Sequence, residues 1–460
     1  MSIIRKSLLA ATVAPLLMVL PLQASAETLT GAMAKAYENN PDLNAVRAVL
    51  RATDENVTIA KAGMRPQIAA TASASSIEIS DITAPPSPDF GYNTQSVGIS
   101  ITQQIFDGFQ TLNNVRAAEA GVYASRESLR AEEISILLAA AQAYADVARD
   151  QQIVVIRKQN LAFLREQLNA ANARLEVGEG TRTDVSQAEA QLAGAEALLA
   201  AAVAQLKQSE ATYVQVVGEA PKGIKQPQPA TKALPASVDA AVAIGIREHP
   251  YVLAALHAVD AAGYQVKSAE GTLLPGVVIQ GNVARNWTNE PGLGNSDATS
   301  ASITAQLKVP IYQGGAEFGN IRKAKETLGE QRIKVDSARA SVQQQVTAAY
   351  AQMEASVAAI AAARKQLSAA NLALQGVIEE RNVGQKTTLD VLNAQQSVLE
   401  AKESLVSYQR NSVVASYGVL AASGRLTIKS QGLDVAEYRA EEHYEAVKDA
   451  WFGLRTVDGR

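Results

Sequence analysis

The 460-residue chain is 47% hydrophobic but only 5% aromatic, holds no cysteine and carries a formal net charge of −4. It therefore has no disulfide or thiol chemistry, its acidic balance argues against a nucleic-acid partner, and its abundant alanine favours helices packed backbone to backbone over a thick globular core.

In chain order, Arg5 and Lys6 precede an apolar run from Ser7 to Leu22, and Ala24-Ser25-Ala26 makes a small-x-small cleavage site before Glu27. This predicts a secretory signal over 1–26, set aside from the fold. The run is too short, and too interrupted by Pro15 and Pro21, for a membrane anchor. No later segment has the roughly 18 uninterrupted apolar residues of a spanning helix.

The remainder reads as one unit used twice. Asn40-Pro41 reappears as His249-Pro250, and Pro66 as Pro275, at an offset of 209 (250 − 41). Phe106-Asp107-Gly108 reappears as Tyr312-Gln313-Gly314, Ala143-Tyr144 as Ala349-Tyr350, Gly178 as Gly384 and Gly218 as Gly424, all at 206 (312 − 106). The first unit covers 27–218 and the second 238–424, joined by a proline-bearing linker over 219–237 and followed by a more charged tail over 425–460.

Each unit begins with a short helix, Leu29 to Asn39 in the first, stopped because a residue before proline avoids the helical region. A second helix follows, Asp42 to Met64, matched by Val252 to Thr272. The helical period then gives way to two-fold alternation, predicting strand hairpins within 66–105 and 275–309: Ile68 to Ile79 with Thr94 to Ile105, and Gly276 to Trp287 with Thr299 to Val309. Pro85, Pro86, Pro88, Gly91 and Asn93, and in the second unit Asn289-Glu290-Pro291-Gly292, supply loop chemistry between them. Phe106, Phe109, Tyr312 and Phe318 fall at strand-to-helix junctions, and Trp287 and Tyr92 toward the loops, where a membrane girdle would sit.

Long proline-free helices come next, Gln110 to about Arg174 and Ala316 to Arg381, on the order of 97 Å each at 1.5 Å per residue. They lead the helical hairpins 110–218 and 316–424. The returning helices, Thr183 to Val216 and Thr388 to Ala422, are shorter, and the helices before the strands make up the difference. Apolar positions occupy more than one helical stripe, which suits a ring of helices. The turns themselves recur: Val177-Gly178-Glu179-Gly180-Thr181-Arg182-Thr183-Asp184-Val185 and Val383-Gly384-Gln385-Lys386-Thr387-Thr388-Leu389-Asp390-Val391. Glycine stops one helix and a threonine caps the next.

Strands of about ten alternating residues suit an outer-membrane barrel, since only helices or closed barrels can span lipid. One chain supplies four strands and the smallest such barrels have about eight, so a barrel requires several chains.

The doubled order of Asn40-Pro41, the Phe106-Asp107-Gly108 junction and the two Val-Gly turns ending in Asp184-Val185 and Asp390-Val391 resembles the TolC family of outer-membrane channels of Gram-negative bacteria, in its alphaproteobacterial branch. The resemblance spans nearly all of the mature chain up to Gly424. It implies a mainly α protein with a β-barrel: a homotrimer in which four strands per chain close a shared 12-stranded barrel in outer-membrane lipid, above a periplasmic tunnel of long coiled-coil hairpins. It implies an exit duct for efflux pumps or type I secretion, working with a periplasmic adaptor protein and an inner-membrane RND or ABC transporter. The tail would pack outside the tunnel at its equator.

The resemblance also assigns residues. Asp184 would hold a gate shut with Lys386 and with Arg381, which stands where the family carries an aromatic residue. Asp390 and Asn393 would form a selectivity ring, with Asn393 replacing a second carboxylate and three crowded copies of Asp390 raising their own pKa. Val177, Gly178 and Thr181, with Val383, Gly384 and Thr387, resemble the adaptor-docking turns. A plainer reading has Asp184 and Asp390 merely capping solvated helix starts.

No catalytic constellation, cofactor motif or metal set is expected. His249, His257 and His443 lack ligand spacing, and the glycines form no phosphate cradle. The alternative to a duct is a soluble periplasmic coiled-coil adaptor, disfavoured by two tandem hairpins where an adaptor has one.

Overall fold

The computed structural model describes residues 27–79, 90–230, 234–290 and 294–459. The expected signal over 1–26 and the loop residues Pro85, Pro86, Pro88, Pro291 and Gly292 lie outside these.

Helices α1 (Leu29–Asn39) and α2 (Pro41–Lys61) meet at Asn40, which is extended at φ −64° and ψ 125°. Its side-chain oxygen accepts from the N–H groups of Asp42 and Leu43 at 2.9 and 3.1 Å, so the residue that ends one helix caps the next. His249 plays the same part between α5 (Val238–Glu248) and α6 (Pro250–Gly271), its Nδ1 accepting from the N–H of Tyr251 at 3.2 Å. Both second helices therefore start at the proline itself, where a missing N–H costs nothing.

Strands β1 (Gln67–Ile79), β2 (Phe90–Phe106), β3 (Gly276–Glu290) and β4 (Gly294–Lys308) form one antiparallel sheet in that order. The register sorts its faces. Ile68 faces Ile101, which faces Gly281 and then Ile303; the next row on that face is Ala70, Ile99, Val283 and Ala301. The opposite face carries Ser73 with Ser96 and Ser75 with Thr94, whose hydroxyls bond at 2.8 and 2.6 Å, and then Asn282, Ser302 and Thr304. Both faces are solvent-accessible in the single chain, and the apolar one has no protein packed on it. Tyr92 alternates onto the polar face, away from Trp287. β1 and β4 are open edges.

Helices α3 (Gln110–Glu176) and α7 (Ala316–Asn382) are each 67 residues long, roughly 100 Å. The returning helices are α4 (Arg182–Val217) and α8 (Thr388–Ala422). α2 and α4 both pack along α3, and α6 and α8 both pack along α7, so the short helices complete the length. α3 additionally packs against α6 and α8, which joins the two units.

The largest core lies where the middle of α3 meets α1, the far ends of α4 and α8, and the tail. Tyr144 is fully buried there, its hydroxyl 2.7 Å from the carbonyl of Glu27 and 2.8 Å from that of Lys225. The tail holds two short helices, α9 (Ile428–Gln431) and α10 (Ala440–Val447), and ascends α2. His443 Nδ1 lies 2.8 Å from the buried Asp54, Thr58 donates to the carbonyl of Val447 at 2.7 Å, and Lys61 pairs with Asp449 at 2.6 Å. No helix among the described residues is long and apolar enough to cross a membrane.

Candidate functional site at the helical tips

The two tips are built alike. α3 ends at Glu176, Gly178 turns left-handed at φ 79°, and the N–H groups of Glu179 and Gly180 donate to the carbonyl of Arg174 at 2.8 and 3.0 Å. α7 ends at Asn382, Gly384 takes φ 82°, and Gln385 donates to the carbonyl of Glu380 at 2.8 Å. A Cβ on either glycine would meet nothing within 4 Å, so it is the backbone angle, not space, that demands glycine. Val177 and Val383 stand out from the tips, each 71% exposed.

Each returning helix opens with a reciprocal capping box. Asp184 Oδ2 accepts from the N–H and hydroxyl of Thr181 at 3.1 and 2.6 Å, while its own N–H donates to Thr181 Oγ1 at 3.2 Å. Asp390 and Thr387 repeat the arrangement at 2.9, 2.8 and 3.2 Å. The cap is thus part of what both aspartates do. The Thr387 hydrogen bonds, with the Lys386 charge adding to them, hold the Asp390 carboxyl below the usual carboxylate range. Crowding of three copies would act in the opposite sense.

Within one chain, no ion pair among the described residues joins Asp184 to Lys386 or Arg381. Lys386 and Asn393 are exposed. Arg381 crosses instead to the first hairpin, donating to Gln167 Oε1 at 2.7 Å, and to Asn382 at 3.3 Å. Its Nε is buried without a partner, and burial, then the nearby Arg174, lowers its pKa. Further from the tip the α3–α8 seam continues: Gln395 donates to Asn160 at 2.9 Å, Arg157 holds Glu403 with one bond at 2.8 Å, and Arg410 grips Asp146 at 2.9 and 3.0 Å. Leu161, Leu164, Ala195 and Leu392 form a small apolar cluster beside it.

Gln167, Asn160 and Glu403 were not legible as site residues. Their partners lie more than 200 positions away, and nothing in local pattern marks them. The Thr-x-x-Asp spacing of the boxes was visible in both tips. No group of metal-ligating side chains occurs among the described residues.

Comparison with known proteins gives a consistent picture. The family model for "Outer membrane efflux protein" matches residues 32–219 and 246–425. The chain is 49% identical over 457 residues to the outer membrane efflux protein BepC of Brucella suis, covering 99% of this chain and 98% of that one. It is 27% identical over 359 residues to the alkaline protease secretion protein AprF of Pseudomonas aeruginosa, covering 76% and 72%. The Campylobacter jejuni CmeC outer membrane channel superposes with a TM-score of 0.77 at 16% identity, covering 93% and 90%.

Proposed function

Because the chain belongs to the outer membrane efflux protein family, the TolC channels, we propose that its two helical tips form the periplasmic gate and docking surface of an exit duct. The chain is an outer-membrane efflux channel reaching into the periplasm, and it is not an enzyme. The adaptor alternative falls with the family match. Channels of this family form trimers and work with efflux-pump components.

The observation that carries the barrel is the sheet with one apolar face, one hydroxyl-rich face and two open edges. Four strands cannot close on themselves, whereas three copies give twelve. The apolar face then meets lipid and the serine and threonine face lines a wet lumen. At the other end, Asp184, Lys386 and Arg381 constitute the gate, with the Asp184 to Lys386 link made between subunits. Asp390 gives the pore a ring of negative charge, weakened by neutral Asn393. Val177, Gly178 and Thr181, with Val383, Gly384 and Thr387, present matching knobs to a periplasmic adaptor, which connects the duct to an inner-membrane RND or ABC transporter. BepC and AprF, by their names an efflux and a secretion protein, support cargo of both kinds: small toxic compounds and exported protein.

Planar-bilayer conductance tests this. Wild-type protein is expected to give small, cation-selective steps, and Asp184→Ala/Lys386→Ala or Arg381→Ala larger ones. Steps unchanged by either variant would move the gate elsewhere. No conductance from an inserted oligomer would overturn the duct.

A further inference from the structure

The tail does not end at the equator. His443, Thr58, Lys61 and Arg65 guide it upward along α2, and Arg65 donates to the carbonyl of Ala450 at 2.6 Å. The Arg65 guanidinium lies 4.8 Å over the ring of Trp451. Beyond that the chain is irregular, and Trp451, Phe452 and Leu454 project from it, Phe452 at 96% exposure. Such a cluster of exposed large apolar side chains calls for a partner.

Its height identifies the partner. Arg65 lies two residues before β1, and the lipid-facing rows begin at once: Ile68 in β1, and Val277 facing Leu307 at the corresponding end of β3 and β4. Lys61, which grips Asp449, also lines an almost wholly apolar hollow of about 460 Å³ with Met64, Phe106, Phe109 and Leu112. The tail therefore reaches the level where hydrocarbon gives way to periplasm. Tryptophan prefers that boundary, and cations flank the cluster at Arg65, over the Trp451 ring, and at exposed Arg455, while Lys448 is held by Glu445.

We propose that Trp451–Leu454 is an interfacial anchor that seats in the phospholipid headgroup region of the outer membrane's periplasmic leaflet, with Arg455 on a lipid phosphate. Lipid rather than protein is favoured because the segment is short, irregular and at barrel-base height, with aromatic and basic side chains together. The anchor ties the outside of the tunnel to the membrane at a point separate from the barrel and away from the tips. It rests on the reading of the sheet as a lipid-facing barrel and goes beyond the gate.

The chain has two tryptophans, Trp287 and Trp451. Trp287→Phe leaves Trp451 as the sole reporter, and Trp451→Phe leaves Trp287 in the barrel. Each full-length variant is reconstituted into phosphatidylethanolamine/phosphatidylglycerol vesicles containing lipid brominated close to the headgroup. Trp451 is expected to lose emission by about two-fold and to shift to the blue, as an interfacial indole does. Adding Phe452→Ser/Leu454→Ser, at exposed positions, should return it to the emission of a water-exposed indole. Quenching of Trp287 alone would overturn the anchor and leave the barrel standing. Quenching of neither would overturn both.

Discussion

The long helices α3 and α7 have the same length and come from the same unit, yet they live in different surroundings. α3 buries residues along most of its length and on several faces, among them Leu129, Leu137, Tyr144, Asp150 and Leu164. α7 buries only Ile321, Val335, Val342, Val346, Ser356 and Ala363. The cause is neighbours: α3 packs against α1, α2, α4, α6 and α8, whereas α7 packs chiefly against α5, α6 and α8. Side-chain chemistry follows. At the 206-residue offset, Asp146, Asp150 and Arg157 of α3 correspond to Gln352, Ser356 and Ala363 of α7. The charges appear where α3 must hold α4 and α8: Asp146 on Arg410, Arg157 on Glu403, Asp150 on Ser209. One unit used twice has been finished in two ways, and the second leaves one side of its long helix bare.

The strand-to-helix junction makes the same point in miniature. Gly108 and Gly314 share a left-handed backbone at φ 66° and 68°. A Cβ on Gly108 would come within 2.2 Å of the Gly271 carbonyl oxygen, while one on Gly314 would meet nothing within 4 Å. The first junction is closed by the second unit. The second junction faces outward, with no described residue of the chain against it.

The sharpest way to break this comparison is to truncate the matched tyrosines. Tyr144→Ala should cost about 4 kcal/mol, the loss of a fully buried aromatic and its hydrogen bonds. Tyr350→Ala, partly exposed, with its hydroxyl 3.4 Å from the Ala236 carbonyl, should cost on the order of 1 kcal/mol in the isolated protomer. Urea unfolding in detergent reads both, and equal costs would mean that the two helices are not differently buried. Next, Gly108→Ala should cost roughly 3 kcal/mol through backbone strain and the clash together, against about 1 kcal/mol for Gly314→Ala from strain alone. If the gap vanishes in protomers, the asymmetry of the junctions is wrong; if it closes only after assembly, the outward junction is an interface.

A smaller effect should appear with pH. Burial holds the Glu133 carboxyl on α3 above the usual range, against an opposing hydrogen bond from Tyr37 at 3.0 Å. The folded chain therefore binds this proton more tightly than the unfolded chain. The stabilisation is fully present below the ordinary carboxylate pKa and lost as pH rises through the raised one. Glu133→Gln should flatten that part of the stability curve. Its counterpart Arg339, exposed on α7, gives a control: Arg339→Gln should leave the slope alone. Smallest of all, Gly178→Ala and Gly384→Ala should each cost about 1 kcal/mol, by strain only, at tips open to solvent. Here the two units should agree, and a difference would show that one tip is held by something the other lacks.

What sequence revealed was local. Prolines, left-handed glycines and the change from helical to two-fold period placed nearly every element, because each acts over a few residues. The strands run past the alternating stretches: β2 begins at Phe90 rather than Thr94, because Phe90 to Asn93, with the expected loop residues Gly91 and Asn93, continue the ladder opposite Ile79 to Ser76, and β3 likewise takes in Asn289 and Glu290 while β4 starts at Gly294. The tip turns and their caps were legible for the same reason as the helices. The contact of Arg381 with Gln167 was not, because its geometry depends on the crossing of two hairpins. Nor was the docking of the tail on α2, where His443 finds Asp54 without any periodic signal.

The open edges of β1 and β4, 13 and 15 residues long, carry a consequence for the life of the protein in the cell. A lone protomer exposes two rows of unpaired backbone groups and an apolar sheet face, the features that drive strands into disordered aggregates. Closure removes both hazards at once, so correct assembly and aggregation compete for the same surface. The winner is decided by rate and by protomer concentration, and the protein's stability has no single value apart from that concentration. Synthesis that outruns ring closure would yield insoluble chain rather than more channels, so the density of ducts in the membrane is capped by how fast protomers meet and insert.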